Sequence, residues 1–170
     1  MKRIIGFTTG MVLAGSLFVT APVGAETSHD VKNERLSVQS NLSKTEDEND
    51  DLSAVIDAGY TQVGTPYVFG GKGPDGFDCS GFISWAFAQA DISIPSSTAA
   101  LQNTGERISY SDAQPGDLVF FNTYKTNGHV GIYLGNDKFL GAQSSDGVSV
   151  ASMNNTYWKS HFAGHVRRVR

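Results

Sequence analysis

The aromatic side chains of this sequence are concentrated in one part of the chain. Residues 53–170 hold every Phe, Tyr and Trp except Phe7 and Phe18. Residues 26–52 hold none of them, and eight acidic side chains stand there against three basic ones. Such a segment cannot bury enough apolar surface to offset the conformational entropy that folding costs. The sequence therefore predicts an acidic, disordered tether over 26–52 and one domain of ordinary size over 53–170.

The first 25 residues have the three-part layout of a secretory signal peptide. Lys2 and Arg3 give a positive start, an apolar stretch runs from Ile4 to about Ala21, and small residues precede a cleavage site after Ala25. A membrane anchor is the alternative, but Gly, Ser and Thr interrupt the stretch, which falls short of the roughly 20 residues that span a bilayer. We therefore expect a secreted, extracellular protein with no membrane anchor after signal cleavage.

Charge and cysteine content exclude several classes of protein. The formal net charge is −4, whereas nucleic-acid binders usually carry a basic face. The one cysteine, Cys79, cannot form an intramolecular disulfide or a cysteine-rich metal site. We therefore expect no nucleic-acid partner, no metal and no cofactor.

The hydrophobic pattern of 53–170 changes from helical to alternating along the chain. Apolar residues recur at helical spacing from Ser53 to Val63 and from Cys79 to Ala90, and a shorter helix is predicted from Ser96 or Ser97 to Asn103. The glycine-rich stretch 70–76 is expected to have no regular structure.

Five short strands follow these helices, separated by turn signals. Their predicted ranges are Leu118–Phe121, His129–Leu134, Phe139–Ala142, Val148–Ala151 and Phe162–Val169. Helices followed by a run of antiparallel strands predict an α+β domain rather than a doubly wound sheet.

Cys79 is the first candidate for a chemical role. A glycine-rich loop delivers it to the first turn of a helix, where free backbone amides and the helix dipole favour a thiolate and lower the pKa of a cysteine. A thiolate there is a nucleophile, and the same amides can stabilise an oxyanion. The alternative is a buried cysteine that acts as a small hydrophobic residue.

A cysteine nucleophile needs a base, and His129 is the best placed of four histidines. It alternates with Val130 and Ile132 and therefore points to the opposite face of its strand, although a purely structural histidine is the alternative. His161 and His165 have the spacing of metal ligands on a helix, but their surroundings indicate a strand and no zinc site is expected. His29 lies in the predicted tether.

Four motifs together resemble the NlpC-type cysteine peptidases of bacterial cell walls. They occur in that family's order: Thr65-Pro66-Tyr67 with Gly70-Gly71, Asp78-Cys79-Ser80-Gly81-Phe82, Pro115-Gly116-Asp117-Leu118-Val119-Phe120-Phe121, and His129-Val130-Gly131-Ile132-Tyr133. The resemblance implies a papain-like α+β fold with N-terminal helices packed on an antiparallel sheet. It also implies a peptidoglycan D,L-endopeptidase that cleaves stem peptides, most often between D-γ-glutamate and a diamino acid.

The same resemblance assigns roles to individual residues. Cys79 would be the nucleophile and His129 the base. Tyr67 would lie beside the thiol, and Asp78 and Ser80 would line the substrate cleft. Asp78 is also placed to cap the helix that begins at Cys79, and this capping role is the leading alternative.

The residue that orients the histidine departs from the family pattern. In the family a polar side chain about twelve residues after the base orients the ring, but Gly141 occupies that position here. Gln143 lies on the same face as Gly141, and strand register decides whether His129 shares that face. A two-residue loop at Asn136-Asp137 would separate them, whereas a three-residue loop around Gly135 would pair 129 with 141. We expect the second arrangement, with Gln143 or a backbone carbonyl orienting the ring.

Two other functions are compatible with these residues. The same Cys–His pair could serve another acyl transfer, as in an N-acetylmuramoyl-L-alanine amidase or a wall transpeptidase. The missing third side chain could instead mark a wall-binding domain without catalysis.

Overall fold

The structure of the protein is a computed structural model that describes residues 52–169. The predicted signal peptide and all but the last residue of the predicted tether lie outside the described residues. That last residue, Leu52, is only 4% exposed and packs into the core, so the domain begins at least one residue earlier than the sequence predicted. Within the described range, no helix is long and apolar enough to cross a membrane.

The helices of the described chain are mostly short. Helix α1 covers residues 52–61, and the others are α2 (Cys79–Ala88), α3 (Thr98–Leu101) and α4 (Thr156–His161), with a 3₁₀ turn at Tyr110–Asp112. Ser97 caps α3 by accepting a hydrogen bond from the Ala100 amide. This cap agrees with the predicted start of the short helix.

Eight strands form two antiparallel sheets in the described chain. The small sheet pairs β1 (Lys72–Gly73) with β2 (Gly76–Phe77). The larger sheet has the strand order β3-β8-β4-β5-β6-β7. Its strands are β3 (Glu106–Ile108), β4 (Leu118–Phe121), β5 (His129–Gly135), β6 (Lys138–Gln143), β7 (Gly147–Ser152) and β8 (Phe162–Arg168).

The predicted α+β class is confirmed, and the five predicted strands are confirmed to within one residue at each end. The expectation of no regular structure over 70–76 is wrong, because this stretch contains the β1–β2 hairpin. Two-residue strands in a glycine-rich segment leave no apolar alternation to detect. Strand β3 and helix α4 were not predicted.

Helix α2 packs its apolar face on one side of the larger sheet. Phe82, Ile83 and Phe87 are fully buried in a cluster that includes Val130 and Leu140 of the sheet. Burial of such side chains supplies about 1.5–3 kcal/mol each. This packing fixes the start of α2, and therefore Cys79, against strand β5.

A second apolar cluster covers the opposite side of the sheet. It contains Phe121, Tyr133 and Phe139, and Trp158 of α4 and Phe162 pack against it. The sheet is therefore enclosed on both sides, and α4 covers the side away from α2.

An ion pair at the start of β4 joins this strand to β8. The carboxylate of Asp117 is fully buried and accepts hydrogen bonds from Arg168 Nε (3.0 Å), Arg168 Nη2 (2.8 Å) and the Gln114 amide (2.7 Å). The Arg168 side chain keeps one fifth of its surface exposed. The pair therefore ties the turn before β4 to the last strand.

We predict that Asp117→Ala lowers the free energy of unfolding by about 3 kcal/mol. Removing one partner of a buried pair costs roughly 3–5 kcal/mol, and the partial exposure of Arg168 places the effect at the low end. Asp57→Ala, at an exposed position of α1, is the control and should change stability by less than about 0.5 kcal/mol. Urea denaturation measures both, and equal effects of the two variants would contradict the prediction.

Candidate active site

One cleft of about 520 Å³ collects the main candidate residues. Tyr67, Cys79, His129 and Gln143 all line it. Its other lining residues are Thr123, Tyr124, Gly128, Ser144, Ser145, Asp146, Asn155, Tyr157 and Trp158. The lining does not include Asp78 or Ser80, so the contact of these two residues with substrate stays a prediction.

Asp78 holds the loop before α2 in place. Its extended backbone precedes the helix, and its Oδ1 accepts hydrogen bonds from the Gly81 amide (2.6 Å) and the Ser80 hydroxyl (2.9 Å). Its Oδ2 accepts a hydrogen bond from the Gly70 amide (3.1 Å). The capping role is therefore confirmed, and the same carboxylate ties the glycine-rich loop to the helix start.

Gly81 allows the loop to approach this helix closely. A Cβ at this position would lie 2.1 Å from the carbonyl oxygen of Gly71, a separation that no side chain tolerates. The Gly71 carbonyl accepts a hydrogen bond from the Asp78 amide (2.9 Å). The motif thus needs glycine after Cys79-Ser80 for packing, independently of any chemistry.

The thiol of Cys79 lies against the first residues of β5. Its Sγ is 4.0 Å from the carbonyl oxygen of Gly128, and the Val130 amide donates a hydrogen bond toward it. Because these two residues flank His129 in the chain, the sulfur lies beside the backbone of the proposed base. The amides of Ser80 and of Cys79 itself also point at the sulfur.

The expectation of a lowered cysteine pKa is wrong for the substrate-free protein. Burial raises the pKa of Cys79 to about 11, the negative charge of Asp78 adds to the rise, and the backbone amides offset only part of it. The side chain is 7% exposed, so the loss of hydration outweighs the helix start. The resting thiol is therefore protonated at neutral pH.

His129 is equally enclosed, by aromatic rings. Its imidazole stacks on Trp158 with ring centroids 5.0 Å apart and an angle of 29° between the planes. Phe121 and Phe139 lie at 6.0 and 6.3 Å. Burial lowers the pKa of His129 to about 4, so the ring is neutral and able to accept a proton.

Gln143 shares the face of His129, although the loop differs from the prediction. The β5–β6 loop has two residues, Asn136 and Asp137, both with positive φ. The register of the two strands shifts by one residue next to this loop, so that Tyr133 pairs with Phe139 and not with Leu140. The same register, continued along the two strands, places Gln143 opposite His129, whereas the sequence analysis expected Gly141 there.

The hydrogen bonds of Gln143 go to another residue. Its Oε1 accepts a hydrogen bond from the Ser149 hydroxyl (3.0 Å), and its Nε2 donates one to the Ser149 carbonyl (3.3 Å). Among the described residues, Nε2 of His129 has no hydrogen-bond partner. The role of Gln143 as the orienting residue therefore stays a prediction.

Tyr67 lies in the same cleft as the thiol. It forms a parallel bridge with Phe77, next to the loop that leads to Cys79. Burial raises the pKa of Tyr67, and the charges of Cys79 and Asp78 raise it further. The phenol therefore stays protonated and can donate a hydrogen bond in the cleft.

The sequence profile of the NlpC/P60 family matches residues 64–167. The chain belongs to the NlpC/P60 family. This match includes every residue of the cleft, and it confirms the resemblance inferred from the four motifs.

Two curated relatives show how the NlpC/P60 domain is used elsewhere. The peptidoglycan DL-endopeptidase CwlO of Bacillus licheniformis is 50% identical over 127 residues, which are 69% of this chain and 28% of that protein. The murein DD-endopeptidase MepS/murein LD-carboxypeptidase of Escherichia coli is 38% identical over 158 residues, covering 88% of this chain and 77% of the relative. The chain thus matches little more than a quarter of CwlO.

Solved structures agree on the fold of the NlpC/P60 domain. A protein similar to a lipoprotein of the NLP/P60 family from Staphylococcus aureus superposes with a TM-score of 0.65 at 34% identity. The superposition covers 71% of this chain and 42% of the other. The predicted papain-like arrangement is therefore confirmed for the domain.

The two other histidines of the NlpC/P60 domain lie on different elements. His161 ends helix α4, where it stacks on Tyr157 at 4.2 Å, so the strand predicted for its surroundings is wrong at this residue. His165 is in β8 and stacks on Phe120 at 5.2 Å. Nowhere in residues 52–169 do three His, Cys, Asp or Glu side chains gather as a metal site would require.

Helix α4 supplies the part of the cleft that the sequence analysis missed. Asn155 caps it by accepting a hydrogen bond from the Tyr157 amide (2.9 Å), and Trp158 stacks on His129. The helix is only six residues long and shows no complete apolar repeat. Asn155, a good capping residue before Thr156, was the available signal.

We predict that iodoacetamide alkylates Cys79 in the substrate-free protein at a rate that keeps rising to pH 10. A thiol with a pKa near 11 forms more thiolate throughout this range, whereas a thiolate–imidazolium pair would give a plateau below pH 7. Mass spectrometry gives the rate, and a plateau in the acidic range would contradict the prediction.

Asp78→Asn should speed this alkylation by about threefold at pH 8. The substitution removes a negative charge that raises the thiol pKa while keeping an oxygen that can cap the helix. Asp75→Asn, in the exposed hairpin turn, is the matched control and should leave the rate unchanged. An unchanged rate in Asp78→Asn would remove Asp78 as a cause of the raised pKa.

Proposed function

We propose that this NlpC/P60 domain hydrolyses peptide bonds in peptidoglycan stem peptides, with Cys79 as nucleophile and His129 as general base. One observation carries the proposal: the Cys79 sulfur lies against the backbone on both sides of His129, at the wall of an open cleft. The curated relatives, which are named for peptidoglycan and murein peptidase activities, support the substrate class.

The neutral resting pair sets how the reaction begins. Since Nε2 of His129 is buried without a hydrogen-bond partner in the described chain, we propose that Nδ1 accepts the thiol proton. Transfer of that proton accompanies attack of Sγ on the peptide carbonyl carbon. The amides of Ser80 and Val130, which already point at the sulfur, can stabilise the oxyanion that develops.

The same two groups complete the reaction. The imidazolium returns its proton to the departing amine as the peptide C–N bond breaks, and a thioester to Cys79 remains. Water then attacks the thioester carbonyl and gives a proton to His129. Collapse of this second adduct releases a carboxylate and restores the thiol, so no metal or cofactor enters the scheme.

For the bond that is cut, we propose the one between D-γ-glutamate and the diamino acid. The name of CwlO, 50% identical to this chain, specifies a DL-endopeptidase, whereas MepS, at 38% identity, is named for DD and LD bonds. Asp146 is an exposed carboxylate in the cleft lining, and its charge would attract the free amino group of a diamino acid.

We also propose that residues 1–25 direct secretion and that 26–51 act as a flexible tether. The charge layout of the first segment and the acidic, aromatic-free composition of the second support this. Peptidoglycan lies outside the cytoplasm, so an exported domain would meet its proposed substrate.

We predict that Cys79→Ala abolishes cleavage of purified muropeptides and leaves the fold intact. His129→Ala should reduce kcat by about 10²–10⁴-fold, since it removes general acid–base catalysis. Mass spectrometry of the digest should show fragments cut after D-γ-glutamate. Thermal melting checks that both variants remain folded, and full hydrolysis by folded Cys79→Ala would overturn the mechanism.

The digest also separates the proposal from its alternatives. Release of whole stem peptides would indicate an amidase, and joined stem peptides a transpeptidase. Binding of muropeptides by the wild-type protein without any turnover would indicate a wall-binding domain.

A further inference from the structure

We propose that Trp158 is the positioning residue of His129, taking the place of a polar third side chain. Its indole face holds the plane of the imidazole and stabilises the imidazolium that forms when Cys79 gives up its proton. This inference rests on the Cys–His pair proposed above. Trp158 lies outside the four sequence motifs, so the proposal assigns a role in the site to a residue that the motifs do not include.

The contacts of His129 restrict its ring from several sides. Trp158 stacks on one face, with ring centroids 5.0 Å apart and an angle of 29° between the planes, and Phe139 lies at 6.3 Å in a T-shaped arrangement at 70°. Phe121, at 6.0 Å and 47°, closes a further side. Such neighbours restrict the plane of a flat ring without a hydrogen bond.

Trp158 is itself held in place. Its ring makes edge contacts with Phe121 at 4.8 Å and with Phe139 at 5.1 Å. These are two of the rings that also surround the imidazole. The four aromatic rings therefore form one packed unit, in which a change of one alters the space available to the others.

Helix α4, which carries Trp158, is anchored at both ends. Asn155 caps its first turn, and at the other end the His161 carbonyl accepts a hydrogen bond from the Asn122 amide (2.6 Å), just after β4. The chain then continues directly into β8, where Phe162 pairs with Phe121. The indole is therefore carried by a helix that is fixed at both ends.

The polar side chain that was predicted to orient His129 forms its hydrogen bonds with a different residue. Both amide atoms of Gln143 bond to Ser149, and Nε2 of His129 lacks a partner within the described chain. The side chains packed on the imidazole are uncharged, and Asp146 is the one carboxylate in the lining of the surrounding cleft. Charge stabilisation at the ring must therefore come largely from the aromatic face.

An indole face provides that stabilisation. A cation within about 6 Å of the ring centroid is attracted by the negative face of the ring, most strongly when water is excluded. The imidazole centroid lies within this distance. The interaction is absent for the neutral ring and appears as the proton arrives, so it favours the transition state over the resting state.

The test compares Trp158→Phe with Trp158→Leu. Phenylalanine keeps a flat aromatic face, whereas leucine fills space without one. Lys159→Leu, at an exposed position of the same helix outside the cleft lining, is the matched control. For each protein we would measure kcat and KM on a defined muropeptide. We would also measure the pKa of His129 without substrate, by NMR titration of its imidazole.

We expect Trp158→Leu to lower kcat by about 10- to 30-fold with KM changed less than about twofold. Trp158→Leu should also lower the pKa of His129 relative to the wild type and to Trp158→Phe, because the imidazolium loses the aromatic face that stabilises it. Trp158→Phe should retain at least about a third of the wild-type kcat, and Lys159→Leu should match the wild type. Gln143→Ala should lower kcat by less than Trp158→Leu does.

Other outcomes would overturn the proposal. A rise in KM with unchanged kcat would make Trp158 a substrate contact, and equal losses in the Phe and Leu variants would make it a space-filling residue. A larger loss in Gln143→Ala than in Trp158→Leu would make Gln143 the orienting residue. If thermal melting shows that Trp158→Leu does not fold, Trp158→Met repeats the comparison with a flexible side chain that adapts to irregular space.

The pKa of His129 separates this proposal from the proposed function. It reports the stabilisation of the imidazolium in the absence of any peptide. A lowered pKa in Trp158→Leu together with no muropeptide cleavage by the wild type would support the role of Trp158 and reject the proposed substrate. An unchanged pKa in folded Trp158→Leu would reject the role of Trp158 even if the wild type cleaves muropeptides.

Discussion

The carboxylate of Asp78 is the group on which the geometry of the cleft depends. It receives hydrogen bonds from both sides of the structure, from Gly70 in the glycine-rich loop and from Ser80 and Gly81 at the start of α2. These bonds fix the direction in which the helix begins, and with it the position of Cys79 against β5. The same negative charge opposes ionisation of the thiol. The carboxylate that orders this helix start therefore also makes Cys79 less acidic.

The base shows a similar balance between packing and charge. His129 begins an inner strand and is surrounded by aromatic rings rather than by water or carboxylates. Its enclosure keeps the imidazole neutral, which suits a proton acceptor, and also makes the protonated form costly. Both partners of the proposed reaction thus rest uncharged. In the proposed mechanism, the proton moves from Cys79 to His129 only as the sulfur attacks a substrate carbonyl.

Much of this arrangement could be predicted from the sequence, and the reasons are local. The strands were visible because alternation of apolar residues is a period-two signal, and Cys79 stood out as a lone thiol at a helix start. The Asp78 cap was also predictable, since capping needs only neighbouring residues. The likeness of the motifs to a known family brought Cys79 and His129 together, which spacing in the chain does not do.

The pKa of Cys79 could not be read from the helix start alone, because burial depends on packing that is set by distant residues such as Val130. The loop at Asn136-Asp137 was misjudged because a shift in register beside it has no sequence signal of its own. Trp158 was missed because its helix is short, and its contact with His129 spans 29 residues of chain.

The protonated state of the Cys79 thiol has a consequence for the lifetime of the protein. Thiolates react with peroxides, disulfides and other oxidants, whereas thiols do so slowly. An exported protein works where no cytosolic reductant restores an oxidised cysteine. A buried sulfur that ionises only during turnover is therefore protected from such damage between encounters with substrate. For a domain exported as proposed, the features that make the resting nucleophile weak would thereby allow it to remain usable for long periods.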